Sequence, residues 1–393
     1  MTDRTVSACP VCGQPAGSTV FAAARVPVLC NQLLPSADEA RRAATGSIDL
    51  VMCASCGLLW NASFDERIVR YSPAYENSLH FSPHFQGFAT QLAHDLVHRN
   101  ELCGRTVIEI GSGKGDFLAM LRDAGIASGI GYDPSYAGET PSSAGLRFVP
   151  SLFPDREFPQ ADFVCARHVF EHLSAPARVL GAIRRAIPAG QAVGFYIEVP
   201  DGSYLLREVA LWDVIYEHPL HFTGGAMIRL FEGAGIGVTR LATSFGGQYL
   251  SIEGWTTARA GDAAPLAQPD RAGLDDLAST FRARAAELRS RWAARLAALY
   301  REGAVVLWGA GSKGVSFLAT VPGAEHITAV VDVNPRKHGR HVPVTGQEVV
   351  APDALRRLRP RVVVLLNPVY RDEVASMLAG AGSAADLVTG ATA

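Results

Sequence analysis

The chain has 393 residues, too many for one ordinary core, and 48% of them are apolar, so burial does not limit folding and two or three domains are expected. Its formal net charge is −2, with lysine and arginine spread along the sequence, which excludes a nucleic-acid binder that needs a dense basic face and leaves small acidic or nucleotide ligands open. No apolar run approaches the roughly 18 residues that span a bilayer, and the opening MTDRTVSACPVCG has no hydrophobic signal core, so a cytoplasmic protein with no membrane partner is expected.

Seven cysteines do not make a disulfide scaffold in a chain this long, but four of them fall into two copies of Cys-x-x-Cys-Gly, at Cys9, Cys12 and Gly13 and at Cys53, Cys56 and Gly57. In each copy a tight turn aims two thiolates at one ion. Four thiolates complete a tetrahedral zinc and leave no position for water, so the site is structural rather than catalytic. The 40 residues between the knuckles carry apolar segments at 20–21 and 26–29 that can fold over it. A redox pair is the rival reading, but it would sit at a strand-to-helix turn and would not be duplicated. Cys30, Cys103 and Cys165 lack partners at ligand spacing and read as buried small apolar residues. Residues 64–88 then place Tyr71, Tyr75, His80, Phe81, His84 and Phe85 on a loop-like backbone, where aromatics either pack the loop down or line a pocket. An amphipathic helix is expected over 88–102.

The stretch 107–116, VIEIGSGKGD, joins a β-branched strand to a glycine turn. Gly111, Gly113 and Gly115 let backbone approach a ligand closely, and Phe117, Leu118, Met120 and Leu121 begin a helix. About 20 residues further on, GIGYDPS ends at Asp133, where a carboxylate can accept hydrogen bonds from both hydroxyls of a ribose. Glu109 lies in the last turn of the strand, so the pattern is Glu-x-Gly-x-Gly-x-Gly rather than the dinucleotide Gly-x-Gly-x-x-Gly. It resembles motif I of class I methyltransferases, which implies an S-adenosylmethionine pocket.

Apolar runs at 146–149, 162–169 and 192–199 continue a doubly wound sheet. Its ligands sit outside the carboxyl ends of the strands, so Ser151, Leu152, Arg167, His168 and residues 198–201 point towards one crevice. Residues 236–244 and 248–256 read as an antiparallel hairpin closing the sheet. Between the sheet and that hairpin, 211–225 holds the densest polar and aromatic cluster of the chain, with Trp212, Tyr216, Glu217, His218 and His221. Burying such charges is costly unless they are paired, and a functional role is the better reading than packing.

A linker rich in Ala, Gly and Pro at 258–273 leads to a long amphipathic helix marked by Leu277, Phe281, Leu288, Trp292, Leu296 and Leu299, with Arg282, Arg284, Arg289, Arg291 and Arg295 as its solvated face. AVVLWGAGSKG (304–314) opens a second βαβ unit, ITAVVDVNP (327–335) carries Asp332, and Asn367 follows the strand RVVVLLNP. Gly309, Gly311 and Gly314 satisfy Gly-x-Gly-x-x-Gly, so NAD is a candidate ligand. Ser312 and Lys313 would add a hydroxyl and a cation to the helix amides, which suits any diphosphate, including that of an activated sugar.

Taken whole, the chain resembles the bacterial C-methyltransferases of nucleotide-sugar biosynthesis. The marks are the two knuckles, the turn at 109–115, Glu217-His218, WGAGSKG at 308–314 and VDVNPRKHG at 331–339. The resemblance implies an α/β fold with a zinc-binding module over 1–70, a class I methyltransferase Rossmann-like sheet over 71–260, and a connecting helix with a second Rossmann-like, substrate-binding domain over 261–393. It implies S-adenosylmethionine as methyl donor, structural zinc, and as partner a small molecule, a nucleotide-linked keto-deoxysugar methylated at the carbon beside its carbonyl. Matched by motif, His218 is the general base, Glu217 its partner and Tyr75 a substrate-site phenol, with Tyr216 and His221 as further catalytic candidates. Glu109, Gly111, Gly113, Gly115, Asp133, Ser151, Arg167 and His168 would hold the cofactor, and Ser312, Lys313, Asn334, Lys337 and Asn367 the substrate. Two departures stand out: the family order is Tyr-x-Glu-His, whereas here Tyr216 adjoins Glu217, and no tryptophan precedes Asn367.

The chemistry agrees with that reading independently of the family. Methyl transfer to carbon requires a carbanion equivalent, a neighbouring carbonyl makes the proton removable, and a base near neutrality must take it. A phenol from Tyr75 or Tyr216 would steady the enolate oxygen. The rival classes are an O- or N-methyltransferase on another activated small molecule, an NAD-dependent oxidoreductase using the C-terminal turn, and a non-catalytic zinc-anchored binding module. Oligomeric state is not legible in the sequence.

Overall fold

Strand sequences of three kinds build three sheets. A computed structural model describes residues 8–72, 74–138, 145–153, 158–257 and 271–390, so most of the linker expected at 258–273 lies outside the described residues. The first sheet is antiparallel: Ala16–Pro27 pairs with Thr45–Cys53, which pairs with Leu59–Asn61. Its fourth strand, Leu220–His221, arrives from far along the chain and joins Leu59–Asn61 through Leu59 opposite His221 and Trp60 opposite Leu220. The expected polar cluster at 211–225 is therefore stitched to the N-terminal module by backbone pairing.

The central sheet has seven strands in the order Gly237–Ser244, Tyr249–Trp255, Gly194–Pro200, Phe163–Arg167, Thr106–Ile110, Ser128–Tyr132, Leu146–Val149. The last five pair in parallel, and the expected hairpin closes the sheet antiparallel on Gly194–Pro200. Every residue of Phe163–Arg167 is buried, as a strand covered on both faces requires. Strand order reverses between Thr106–Ile110 and Phe163–Arg167, which opens a crevice beyond their carboxyl ends. The helix expected at 88–102 runs instead over Pro83–Arg99: Ser82 accepts a hydrogen bond from the Phe85 amide and Pro83 fills the first helical position, a start signal stronger than the apolar period.

The third sheet is wholly parallel, in the order Val349–Val350, Val330–Val331, Val305–Trp308, Val362–Leu365, Asp386–Thr389. The helix Arg271–Glu302 buries Leu274, Phe281, Trp292 and Leu296 in a core shared by the first and third sheets. Its arginines do more than face solvent. Arg282 donates to the Thr19 carbonyl, Arg284 to that of Arg207 and Arg289 to that of Thr320. A second correction concerns Cys103, which is exposed, while Cys30 and Cys165 are buried.

Phe317 joins the parts. It is fully buried, lies stacked on Trp212 at 5.5 Å and meets Trp292 edge-on at 5.2 Å. Phe317→Ala would leave a cavity where the helix Ser312–Thr320, the helix Arg271–Glu302 and the 211–213 turn meet, and is expected to cost about 3–5 kcal/mol of unfolding free energy in denaturant titration. A loss below about 1 kcal/mol would mean that the three parts are not held through this ring.

Candidate functional site

Both knuckles form. Cys9 and Cys56 sulfurs lie 3.6 Å apart and Cys12 and Cys53 sulfurs 3.4 Å apart, and all four fall within 4.8 Å of one another. Tetrahedral bonds of about 2.3 Å would separate sulfurs by about 3.8 Å, so the donor set fits one tetrahedral metal. The Ser55 and Cys56 amides point at the Cys53 sulfur, as amides do towards a thiolate. Among the described residues every cysteine is a free thiol.

The cofactor crevice follows from the glycine turn. Gly111 has φ +73°, and a Cβ there would collide with the Val169 side chain, so this position requires glycine. The Gly113 amide donates to Asp133 Oδ2 at 2.8 Å, and Asp133 Oδ1 accepts from the Ser135 amide at 2.7 Å and its hydroxyl at 2.6 Å. Asp133 thus braces the turn while standing at the strand end where a ribose would lie. Glu109 is buried with one carboxylate oxygen lacking a hydrogen-bond partner among the described residues, and burial raises its pKa to about 8 against the pull of Arg167. Arg167 donates from Nε to Glu198 at 2.8 Å, lies over the Phe117 ring at 4.2 Å and keeps one buried guanidinium nitrogen unpartnered. A carboxyl and a guanidinium that each keep an unsatisfied polar atom at one crevice, with the Ser112 hydroxyl also unpartnered, fit the amino and carboxylate groups of a zwitterionic amino acid, whose ammonium would favour the ionised form of Glu109. Ser151 is exposed and its hydroxyl caps the Leu152 carbonyl.

His168 takes φ +54°, a strained conformation for a side chain this size. Burial disfavours its charge, but Glu171 at 3.4 Å and Glu198 at 3.5 Å hold it protonated, to about pH 9. Glu198, also accepting from the Tyr196 hydroxyl, is kept ionised down to about 2 despite complete burial.

The second cluster surrounds His218. Its ring meets His172 edge-on at 4.6 Å and His221 at 6.5 Å. Burial first, then the positive fields of His172, His221, His168 and Lys313, push the His218 pKa well below the usual imidazole range. The Tyr71 hydroxyl reaches His172 Nδ1 at 2.8 Å, Tyr71 packs edge-on against Tyr75 at 5.1 Å, and the Tyr75 hydroxyl lies 3.4 Å from the Asn31 amide nitrogen. Burial, then the Glu217 carboxylate, push Tyr75 well above the usual phenol range, so it stays a donor.

Three expectations for this cluster are corrected. Glu217 does not orient His218: its Oε1 accepts from the Cys30 amide at 2.9 Å, and its contribution towards the imidazoles is its backbone carbonyl, 2.8 Å from His172 Nδ1. Tyr216 faces away, with its hydroxyl accepting from the Asp65 amide at 2.8 Å and its ring against Phe64 and Gly46. His221 is buried in that strand, and burial lowers its pKa to about 4.

At the third sheet the Gly309–Gly314 turn forms as expected. A Cβ on Gly314 would strike the Gly309 carbonyl, so the close approach requires glycine there. Ser312 and Lys313 begin the helix Ser312–Thr320; the Ser312 hydroxyl accepts from Asn31 at 3.0 Å and Lys313 forms an ion pair with Asp213. Lys337 is not free for a ligand. It is buried, donates to the Ala310 carbonyl at 3.1 Å and lies 3.6 Å from Asp332, bracing the turn from beneath. Asn334 reaches Glu76 at 3.1 Å, and Asn367 exchanges amide hydrogen bonds with Gln248 at 3.0 and 3.1 Å.

The sequence reading missed Glu171, His172 and Asn31, placed Glu198 at the crevice and left Tyr71 between packing and pocket. Position beyond strand Phe163–Arg167 was the available signal for Glu171 and His172, since Glu-His also occurs at 217–218 and at 325–326 without distinction.

Residues 85–241 match the model of a methyltransferase domain and residues 259–385 that of the C-methyltransferase C-terminal domain. The C-methyltransferase NovU of Streptomyces niveus is 26% identical over 262 residues, covering 61% of this chain; the chain spans 58% of that relative's length. Two solved structures are similar at low identity. The magnesium protoporphyrin IX methyltransferase ChlM of Synechocystis PCC 6803 with bound SAH is 15% identical, with a TM-score of 0.36 over 44% of this chain and 84% of that one. The 1,6-didemethyltoxoflavin-N1-methyltransferase of Burkholderia thailandensis is 18% identical, with a TM-score of 0.34 over 43% and 79%. No described helix is long and apolar enough to cross a membrane.

Proposed function

Because the chain belongs to the S-adenosylmethionine-dependent methyltransferases and carries a C-methyltransferase C-terminal domain, we propose that it methylates carbon beside the carbonyl of a nucleotide-linked keto-deoxysugar. The observation that carries this reading is a chain of contacts: His218 packs against His172 just beyond the strand Phe163–Arg167, His172 meets Tyr71, Tyr71 packs on Tyr75, and Tyr75 lies beside Asn31, which donates to Ser312 of the C-terminal glycine turn. A base standing between a methyl-donor site and a diphosphate site has the place that carbon methylation of an activated sugar asks for.

In this reading S-adenosylmethionine, when bound, supplies an electrophilic methyl group and leaves as a neutral thioether. Glu109 and Arg167 receive its amino acid end and Asp133 its ribose. Neutral His218 takes the proton from the carbon to be methylated, the C–H electron pair moves onto the carbonyl oxygen, and the Tyr75 hydroxyl donates to that oxygen. The carbon then forms its bond to the methyl group, and the imidazolium returns its proton to solvent. Ser312 and the amides of its helix receive the diphosphate, with Lys313 released from Asp213 to join them. Zinc at the four thiolates has a structural part, residues 1–70, 71–260 and 261–393 supply the zinc module, the methyl-donor site and the substrate site, and the seven free thiols suit a reducing cytoplasm.

The reading is tested by mass spectrometry of reactions containing isotopically labelled S-adenosylmethionine and a panel of nucleotide-linked keto sugars. Labelled methyl on carbon next to the carbonyl supports it, and label on oxygen or nitrogen replaces it with the corresponding transferase. For the cofactor, Asp133→Ala is expected to weaken S-adenosylmethionine by about one to two decades, since it removes a charge-assisted pair and the brace on Gly113 together. Unchanged affinity in calorimetry would move the ribose elsewhere.

A further inference from the structure

Glu171 is 1% exposed, and neither of its carboxylate oxygens has a hydrogen-bond partner among the described residues. Among the described residues its one ion pair is with His168 at 3.4 Å, which it shares with a second carboxylate, Glu198, at 3.5 Å. A buried carboxylate with no hydrogen bond and only half a claim on one imidazolium is costly, and a further cation beside it would relieve the cost. One ligand atom each from Glu171, His172 and His218 already lies within 4.8 Å of the others. His172 is also prepared as a ligand. Its Nδ1 is 2.8 Å from both the Glu217 carbonyl, which can only accept, and the Tyr71 hydroxyl, which can accept as well as donate, so a proton on Nδ1 suits both neighbours and leaves the lone pair on Nε2. A metal-binding histidine is characteristically held by such a bond from its other nitrogen to a backbone carbonyl.

We propose that Glu171, His172 and His218 form a second metal site, distinct from the four thiolates, for a divalent first-row transition ion, and that filling it switches the enzyme off. Two imidazoles and one carboxylate suit ions from cobalt to zinc and leave further positions open to water. The site has no thiolate, so it holds its ion more weakly than the cysteine centre and responds to free metal. Once metal is bound, the His218 lone pair is in a coordinate bond and takes no proton. Glu171 can turn to the metal without stranding His168, because Glu198 remains. The switching half of the proposal rests on His218 as the base; the binding half does not.

The experiment uses the full chain with its cysteine centre loaded with zinc, titrated with cobalt(II) in the absence of substrate and followed by calorimetry and visible absorption. One additional cobalt per chain is expected, with ligand-field bands and no sulfur-to-cobalt charge-transfer band. Glu171→Gln and, separately, His172→Ala should weaken that cobalt at least about tenfold, the lower bound when even a hydrogen-bond partner of a metal ligand is lost. Absence of a second ion, equal affinity in both variants, or a charge-transfer band showing exchange at the thiolates would each overturn the site. If cobalt binds as expected but methyl transfer or substrate proton exchange is unaffected at full occupancy, the switch is overturned and the site stands. If no sugar nucleotide is turned over at all while cobalt still binds and both variants weaken it, the substrate reading fails and the site again stands.

Discussion

His218→Ala is expected to lose at least about 10² in turnover while binding S-adenosylmethionine as the parent protein does, because general-base catalysis supplies about 10² to 10⁴ in rate and the cofactor crevice draws on other residues. Burial and the neighbouring positive groups keep the His218 ring unprotonated and able to accept a proton, while also weakening it as a base, so its placement beside His172 rather than its pKa supports the base role. A methyl-independent measurement separates the base from the transfer step. With substrate and the demethylated cofactor in deuterated water, the parent should exchange the acidic carbon-bound proton and the variant should do so far more slowly. Equal exchange would place the base elsewhere, and His172, whose ring is 4.6 Å away, becomes the first alternative. Tyr216 does not, since its hydroxyl is committed to the Asp65 amide.

The parts of this site that could be read from sequence are those that a backbone dictates locally. Gly111 and Gly314 are required by a left-handed turn and a close carbonyl, so their spacing announces the two crevices. The cysteine knuckles are equally local, each set by one tight turn. What stayed hidden was the choice of partners. Glu217 was paired with its sequence neighbour His218, but the structure gives it the Cys30 amide, 187 positions away. Lys337, expected among the substrate residues from the motif match, is instead a brace, buried beside Asp332 and donating to the Ala310 carbonyl. Tyr216 is one position too near Glu217 for the family order, and its ring packs into the N-terminal module against Phe64 rather than towards His218. Tyr71, reaching His172, stands beside Tyr75 in the aromatic loop, where the sequence left packing and pocket undecided.

With zinc at the four thiolates, as proposed, its loss is expected to unfold the N-terminal sheet, and with it the proposed active site, rather than to remove a chemical participant. Structural zinc contributes an apparent 10–16 kcal/mol or so at neutral pH, at least as much as the roughly 5–15 kcal/mol that holds an average domain folded. Cys53 ends the strand Thr45–Cys53, its amide donates to the Leu58 carbonyl, and the next strand, Leu59–Asn61, carries Leu220–His221 on its other edge. Disorder starting at the metal would therefore pass through two strand pairings to within two residues of His218. Elemental analysis of the purified protein should find one zinc per chain held by Cys9, Cys12, Cys53 and Cys56, and Cys53→Ser or prolonged chelation should lower the thermal midpoint and the near-ultraviolet dichroism together with activity. Finding no zinc would remove the centre, and a chelator that stops turnover while the fold stays intact would make the metal a participant in the chemistry. Brief mild chelation should do the opposite of prolonged chelation: it strips only the weak Glu171, His172 and His218 site and should raise the activity of metal-inhibited enzyme while the near-ultraviolet dichroism is still unchanged.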